Sequence, residues 1–116
     1  PMLSMLRFMA NVNDKRKITL IWSNRTRKHI VYPDEFSELE ERLAGLSIVH
    51  VLTREPEYDG ERGRLDEAKF RRLLAGCSKQ SIVFTGGPSD MMKEANWALR
   101  RIGFACRSII MERFSL

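Results

Sequence analysis

The stretch Ser81-Ile82-Val83-Phe84-Thr85-Gly86-Gly87-Pro88 decides the fold. Ser81 to Thr85 is a short, uncharged, β-prone run of the kind buried on both faces of a parallel sheet. Gly86-Gly87-Pro88 then turns the chain into a helix, where proline is at home because its missing N–H would be unpaired in a first turn anyway. Met92, Ala95, Leu99 and Ile102 recur at helical spacing, Gly103 stops the helix, and Ser108 to Met111 reads as the next strand. A strand that reaches the following strand through a helix makes a crossover, and crossovers join parallel strands.

The same alternation runs back toward the N-terminus. Pro1 to Asn11 carries Met2, Leu3, Met5, Leu6 and Met9 at helical spacing, and Ile18 to Trp22 follows as a strand. Pro33-Asp34-Glu35 opens a second helix with Phe36, Leu39 and Leu43 on one stripe, stopped at Gly45. Ser47 to Thr53 is a second buried strand. After a polar loop, Asp66 caps a third helix whose inner face is Phe70, Leu73 and Leu74, ended by Gly76. Regular alternation of this kind predicts an α/β fold, a parallel sheet with helices on both faces. The pattern begins on a helix, which predicts that a strand precedes Pro1.

Composition narrows the class. At 116 residues the chain holds one core, and 43% apolar with 30% charged residues fits a globular domain. The longest apolar runs fall far short of the roughly 20 residues that span a bilayer, and the start lacks the charge order of a signal peptide, which predicts a cytoplasmic protein. Two cysteines, Cys77 and Cys106, are too few for a disulfide scaffold or an iron–sulfur cluster. Each precedes a strand, opposite the edge where ligands bind. The net charge of +5 is dispersed among 15 acids, which argues against nucleic-acid binding and suits an anionic small molecule or an acidic protein. His29 and His50 have no partner at metal-ligand spacing, so no metal site is predicted. Trp22 and Trp97 lie in a strand and a helix and read as packing residues.

Ligands of open parallel sheets bind beyond the carboxyl ends of the strands. That rule selects Ser23-Asn24-Arg25-Thr26, Thr53-Arg54-Glu55, Thr85-Gly86-Gly87-Pro88 and the tail Glu112-Arg113-Phe114. Adjacent glycines let a flat ring or phosphate approach the backbone ahead of a helix N-terminus, although a tight turn explains them equally well. Arg25 follows a strand with no acid at its end. An acid there would bind a ribose 2′-OH, whereas arginine suits a 2′-phosphate; a solvated basic loop of Arg25, Arg27 and Lys28 is the alternative.

Five segments in register, Pro1-Met2-Leu3-Ser4-Met5-Leu6-Arg7, Ser23-Asn24-Arg25-Thr26, Gly63-Arg64-Leu65, Gly87-Pro88 with Met91, and Glu112-x-Phe114, resemble the NAD(P)-binding domains of ferredoxin–NADP reductase-like flavoenzymes over nearly the whole chain. The resemblance implies a three-layer αβα, Rossmann-like domain spanning residues 1–116, with its first, central strand missing from this chain. Pro1 would be the last residue of the family's glycine-rich turn. Ser23, Asn24 and Arg25 would meet the adenosine ribose or its 2′-phosphate, with Arg54 near the adenine. Gly86, Gly87, Pro88 and Met91 would hold the nicotinamide, and Glu112 and Phe114 would approach the reactive rings. The implied cofactors are NAD(P)H, leaning to NADPH, and FAD in a separate barrel domain of the parent chain.

Two departures stand out. The family commonly has Cys-Gly-Pro where this chain has Gly86-Gly87-Pro88, and the flavin barrel is absent from these residues. The implied strand order puts the missing strand between Ile18–Ser23 and Ser81–Thr85. Unpaired buried backbone groups are costly, so those strands are expected to pair with each other or to take a strand from another chain, giving a homo-oligomer. The competing reading is a non-catalytic doubly wound module that binds a nucleotide or a protein. The electron acceptor is not readable from the sequence.

Overall fold

Alternating apolar and helical periods do become alternating strands and helices. The computed structural model describes residues 2–30 and 32–113. In order they form α1 (Met2–Asn11), β1 (Ile18–Asn24), a 3₁₀ turn (Arg27–His29), α2 (Pro33–Arg42), β2 (Leu46–Leu52), β3 (Glu61–Arg62), α3 (Glu67–Leu73), β4 (Val83–Gly87), α4 (Ser89–Arg101), a second 3₁₀ turn (Cys106–Ser108) and β5 (Ile109–Arg113). Every ladder is parallel. The strands make two sheets, β1-β2-β3 and β4-β5, and the chain divides into one unit up to Arg64 and another from Leu65.

The first unit is built by period matching. Ile18 and Leu20 of β1 and Leu46 and Ile48 of β2 share one face of the ladder. They pack with Leu6 and Ala10 of α1 and with Leu39 and Leu43 of α2 in one core. Farther along the same face, register partners Trp22 and His50 lie under Phe36 of α2, with ring centroids 5.1 and 5.8 Å away. Phe36, Leu43, Val51 and Leu52 are almost completely buried, and each such side chain contributes about 1.5–3 kcal/mol relative to exposure. Arg7 of α1 grips Glu35 of α2 with both guanidinium arms, one at 2.9 Å, and this holds the Glu35 carboxyl below its ordinary range.

Gly45 has a role other than the expected helix stop. Helix α2 ends at Arg42 with Leu43 as its cap, and a Cβ on Gly45 would run into the Arg16 carbonyl oxygen. The glycine permits the close approach that lets Ile18 N–H donate to the Gly45 carbonyl at 2.8 Å and start β1 beside β2.

In the second unit Asp66 caps α3 as expected, its carboxylate accepting from the Lys69 N–H at 3.0 Å. Phe70 and Leu74 are buried on its inner face, and Met92, Ala98, Leu99 and Ile102 face inward along and just past α4. The expected turn at Gly86-Gly87 is corrected: both glycines belong to β4 and pair with Glu112 and Arg113, so the turn falls at Pro88. Strand β3 is a second correction, because Glu61 and Arg62 extend the β2 ladder from within what reads as a polar loop. Trp97 is a third: it is 55% exposed, with the Arg100 guanidinium 5.1 Å from its ring, and does not belong to the core.

His50 is a pH-sensitive element of the first unit near neutral pH. Its Nδ1 is buried without a hydrogen-bond partner among the described residues, and burial lowers its pKa against the opposing pull of Glu40. The folded state therefore resists protonation that the unfolded chain accepts near pH 6.5. The stabilisation is complete above that range and falls as the pH drops through it. Urea denaturation midpoints are expected to fall between pH 7.5 and 5.5 in the native chain and to fall less in His50→Leu; an equal fall in both would remove His50 as the cause.

Candidate functional site

Parallel pairing brings the carboxyl ends of β1 and β2 to the same edge of the sheet, and hydrogen bonding continues past the strands. Thr53 N–H donates to the Asn24 carbonyl at 2.9 Å and Arg54 N–H donates to the Arg25 carbonyl at 2.8 Å. The backbones of Arg25 and Arg54 thus leave the sheet hydrogen-bonded to each other. Both are exposed, and neither guanidinium has an ion-pair or hydrogen-bond partner among the described residues. Ser23 and Asn24, the last residues of β1, are half-buried. The edge therefore combines two unneutralised cations with a polar strand end, which is the chemistry that binds a phosphate beside a ribose.

Beyond β2 the chain bends around a cleft of about 380 Å³, lined by Leu52 to Pro56 on one side and Arg62 and Gly63 on the other. Gly63 N–H closes its base on the Leu52 carbonyl at 3.0 Å, and Arg62 donates to the Pro56 carbonyl. Arg54 is thereby shared between the strand edge and the cleft.

Sequence reasoning missed the group that ties the two loops together. Arg27, in the 3₁₀ turn after β1, lies 3.3 Å from Glu55 through Nε and 5.0 Å from the centre of the Tyr58 ring. A turn closed by Tyr58 N–H to the Glu55 carbonyl at 3.1 Å presents both residues to it. The contact with Glu55 is an ion pair without hydrogen-bond geometry, since the buried Glu55 Oε2 accepts no hydrogen bond. Nothing local marks this arrangement, because the partners lie about thirty residues apart in the sequence and meet only once β1 and β2 pair.

In the second unit β4 runs through Gly86 and Gly87 to Pro88, and α4 begins at Ser89. Gly87 is buried at φ 143°, a conformation costly to residues with a Cβ, and the Met91 methyl lies where that Cβ would project. Met91 itself is 42% exposed. The first turn of α4 contains Asp90, which already complements the positive end of the helix. This turn is therefore less suited to a phosphate than to a neutral ring and its amide. Just before the glycines, the Thr85 hydroxyl oxygen is buried with no partner among the described residues. The backbone of Glu112 pairs with Gly86 on β5. Pro1 and Phe114, the other predicted contacts, lie outside the described residues. Cys77 and Cys106 are not in a disulfide.

The chain matches a known architecture. Residues 1–96 fit the model of the oxidoreductase NAD-binding domain, and the chain belongs to that family. Its relatives include nitrate reductase [NADPH] of Emericella nidulans, 32% identical over 90% of this chain and 12% of that protein. NADH-cytochrome b5 reductase 1 of Dictyostelium discoideum is 29% identical over 90% of this chain and 37% of its own length. The chain thus spans little more than a third of these relatives at most. Among solved structures, flavohemoglobin from Malassezia yamatoensis superposes with a TM-score of 0.83 over 99% of this chain and 28% of that one, at 24% identity, which shows the fold.

Gly87 supplies the test of the turn. Alanine there has to hold a positive φ and displace Met91, so Gly87→Ala is expected to cost about 1–3 kcal/mol by chemical denaturation. Met91→Ala removes the steric part only; if Gly87→Ala were harmless in that background, the methionine rather than the backbone would set the constraint.

Proposed function

We propose that this chain is the nicotinamide-nucleotide-binding domain of a flavin-dependent reductase that passes electrons from NAD(P)H through FAD to an acceptor. The observation that carries the reading is the pair Arg25 and Arg54, hydrogen-bonded through their backbones and unneutralised beyond the carboxyl ends of β1 and β2. A parallel-sheet edge with an acid in this place favours a ribose 2′-hydroxyl, whereas two cations favour a 2′-phosphate, so the preferred donor is NADPH. Ser23 and Asn24 complete the ribose side. The glycine-proline turn, the orphaned Thr85 hydroxyl and Met91 suit the nicotinamide and its carboxamide, with Glu112 approaching along β5. Pro1 and Phe114 complete the proposed contacts at either end of the chain.

The flavin, held by a separate FAD-binding domain of the same parent chain, supplies the exchange of a hydride for single electrons when bound. What this chain contributes is orientation. Charge recognition at the adenosine end fixes that end of the dinucleotide. We assign the parent protein to the cytoplasm, where the two unbridged cysteines of this domain suit a reducing setting.

Calorimetric titration of this chain with 2′-phospho-AMP and AMP tests the reading. The phosphorylated probe is expected to bind more tightly, and Arg25→Ala or Arg54→Ala to weaken it about tenfold while changing AMP much less. Equal affinity for the two probes would remove the NADPH preference. With FAD and NADPH added, this chain alone should not reduce the flavin rapidly; fast bleaching would contradict the assignment of the flavin to another domain.

A further inference from the structure

We infer that Arg27 is a positioning residue whose contacts with Glu55 and Tyr58 set the spacing of Arg25 and Arg54 and thereby the selectivity of this edge for a 2′-phosphorylated nucleotide. The inference rests on the proposed reading of Arg25 and Arg54 and assigns separate roles within one basic loop. Three cations, Arg25, Arg27 and Lys28, follow β1 within four residues, and charge alone does not distinguish them. The contacts do. Arg25 has no ion-pair partner among the described residues, whereas Arg27 lies against the Glu55 carboxylate at 3.3 Å and the Tyr58 ring at 5.0 Å.

Glu55 makes the arrangement informative, because it directly follows Arg54 and is the acid best placed to cancel the charge of that arginine or to repel a bound phosphate. Its Oε2 is instead buried toward Arg27. The pairing draws the acid away from the ligand edge and clamps the loop after β2 to the loop after β1. Tyr58 supports the flat guanidinium from the side, and the turn from Glu55 to Tyr58 presents acid and ring together. Arg62, donating to the Pro56 carbonyl, pins the same turn from the cleft. Two backbone bonds, Thr53 to Asn24 and Arg54 to Arg25, then connect this brace to the arginines it positions.

The sign of one substitution separates this role from simple electrostatics. If Glu55 were only a negative charge beside an anion site, Glu55→Gln would raise affinity for 2′-phospho-AMP. If it is part of the brace, the same change lowers affinity, by about threefold for a pair this exposed, with little effect on AMP. Arg27→Lys keeps the charge but not the planar face and is expected to show a similar loss. Tyr58→Phe retains the ring and the affinity, whereas Tyr58→Leu loses it. Titrating this chain and its variants with both probes gives the answer. Raised or unchanged affinity in Glu55→Gln, alongside a clear loss in Arg54→Ala, overturns the brace alone. No loss in Arg25→Ala or Arg54→Ala overturns the nucleotide reading and the brace with it.

Discussion

Parallel pairing of β1 with β2 is the constraint on which the rest of the first unit depends. Parallel neighbours cannot be joined by a tight turn, so the chain between them must leave one end of the sheet, form α2 over a face, and re-enter at the other end. The crossover requires α2 to carry an apolar stripe, and Phe36, Leu39 and Leu43 provide it against the sheet and α1. It also delivers the carboxyl ends of β1 and β2 to one edge. Arg25 and Arg54, twenty-nine residues apart, become neighbours for that reason, and the two backbone bonds past the strand ends keep them so.

The two candidate neighbourhoods use different physics. At the strand edge of the first unit the groups are charged and exposed, so their interactions are electrostatic and sensitive to salt. At the β4–α4 turn the decisive property is the missing Cβ at Gly87, which makes room for the Met91 methyl, while Asp90 neutralises the helix end that would otherwise attract an anion.

Element order was legible because it follows from periodicity: Leu6, Leu39, Phe70 and Leu99 sit on the inner faces the spacing predicts. Asp66 was legible as a cap because its carboxylate acts on a backbone N–H three residues away. Where the reading failed, the determinants were not local. Glu61 and Arg62 become a strand only because β2 offers them a ladder. Gly86 and Gly87 look like a turn by composition, but pairing with β5 holds them extended. Arg25, Arg54 and Glu55 could be selected by the strand-end rule, whereas Tyr58 obeys no such rule and the pairing of Arg27 with Glu55 left no trace in the sequence.

That difference reflects how a ligand edge on a parallel sheet is made. The residues that meet the ligand are constrained by position, since they must follow strands, and position leaves a trace in the sequence. The residues that orient them need only reach across between two loops, and many pairs of side chains can do so. An exposed ion pair is worth little in stability, about 1 kcal/mol at most, so little in the core depends on the one at Arg27. Its effect is geometric instead, since it ties the loop after β2 to the loop after β1.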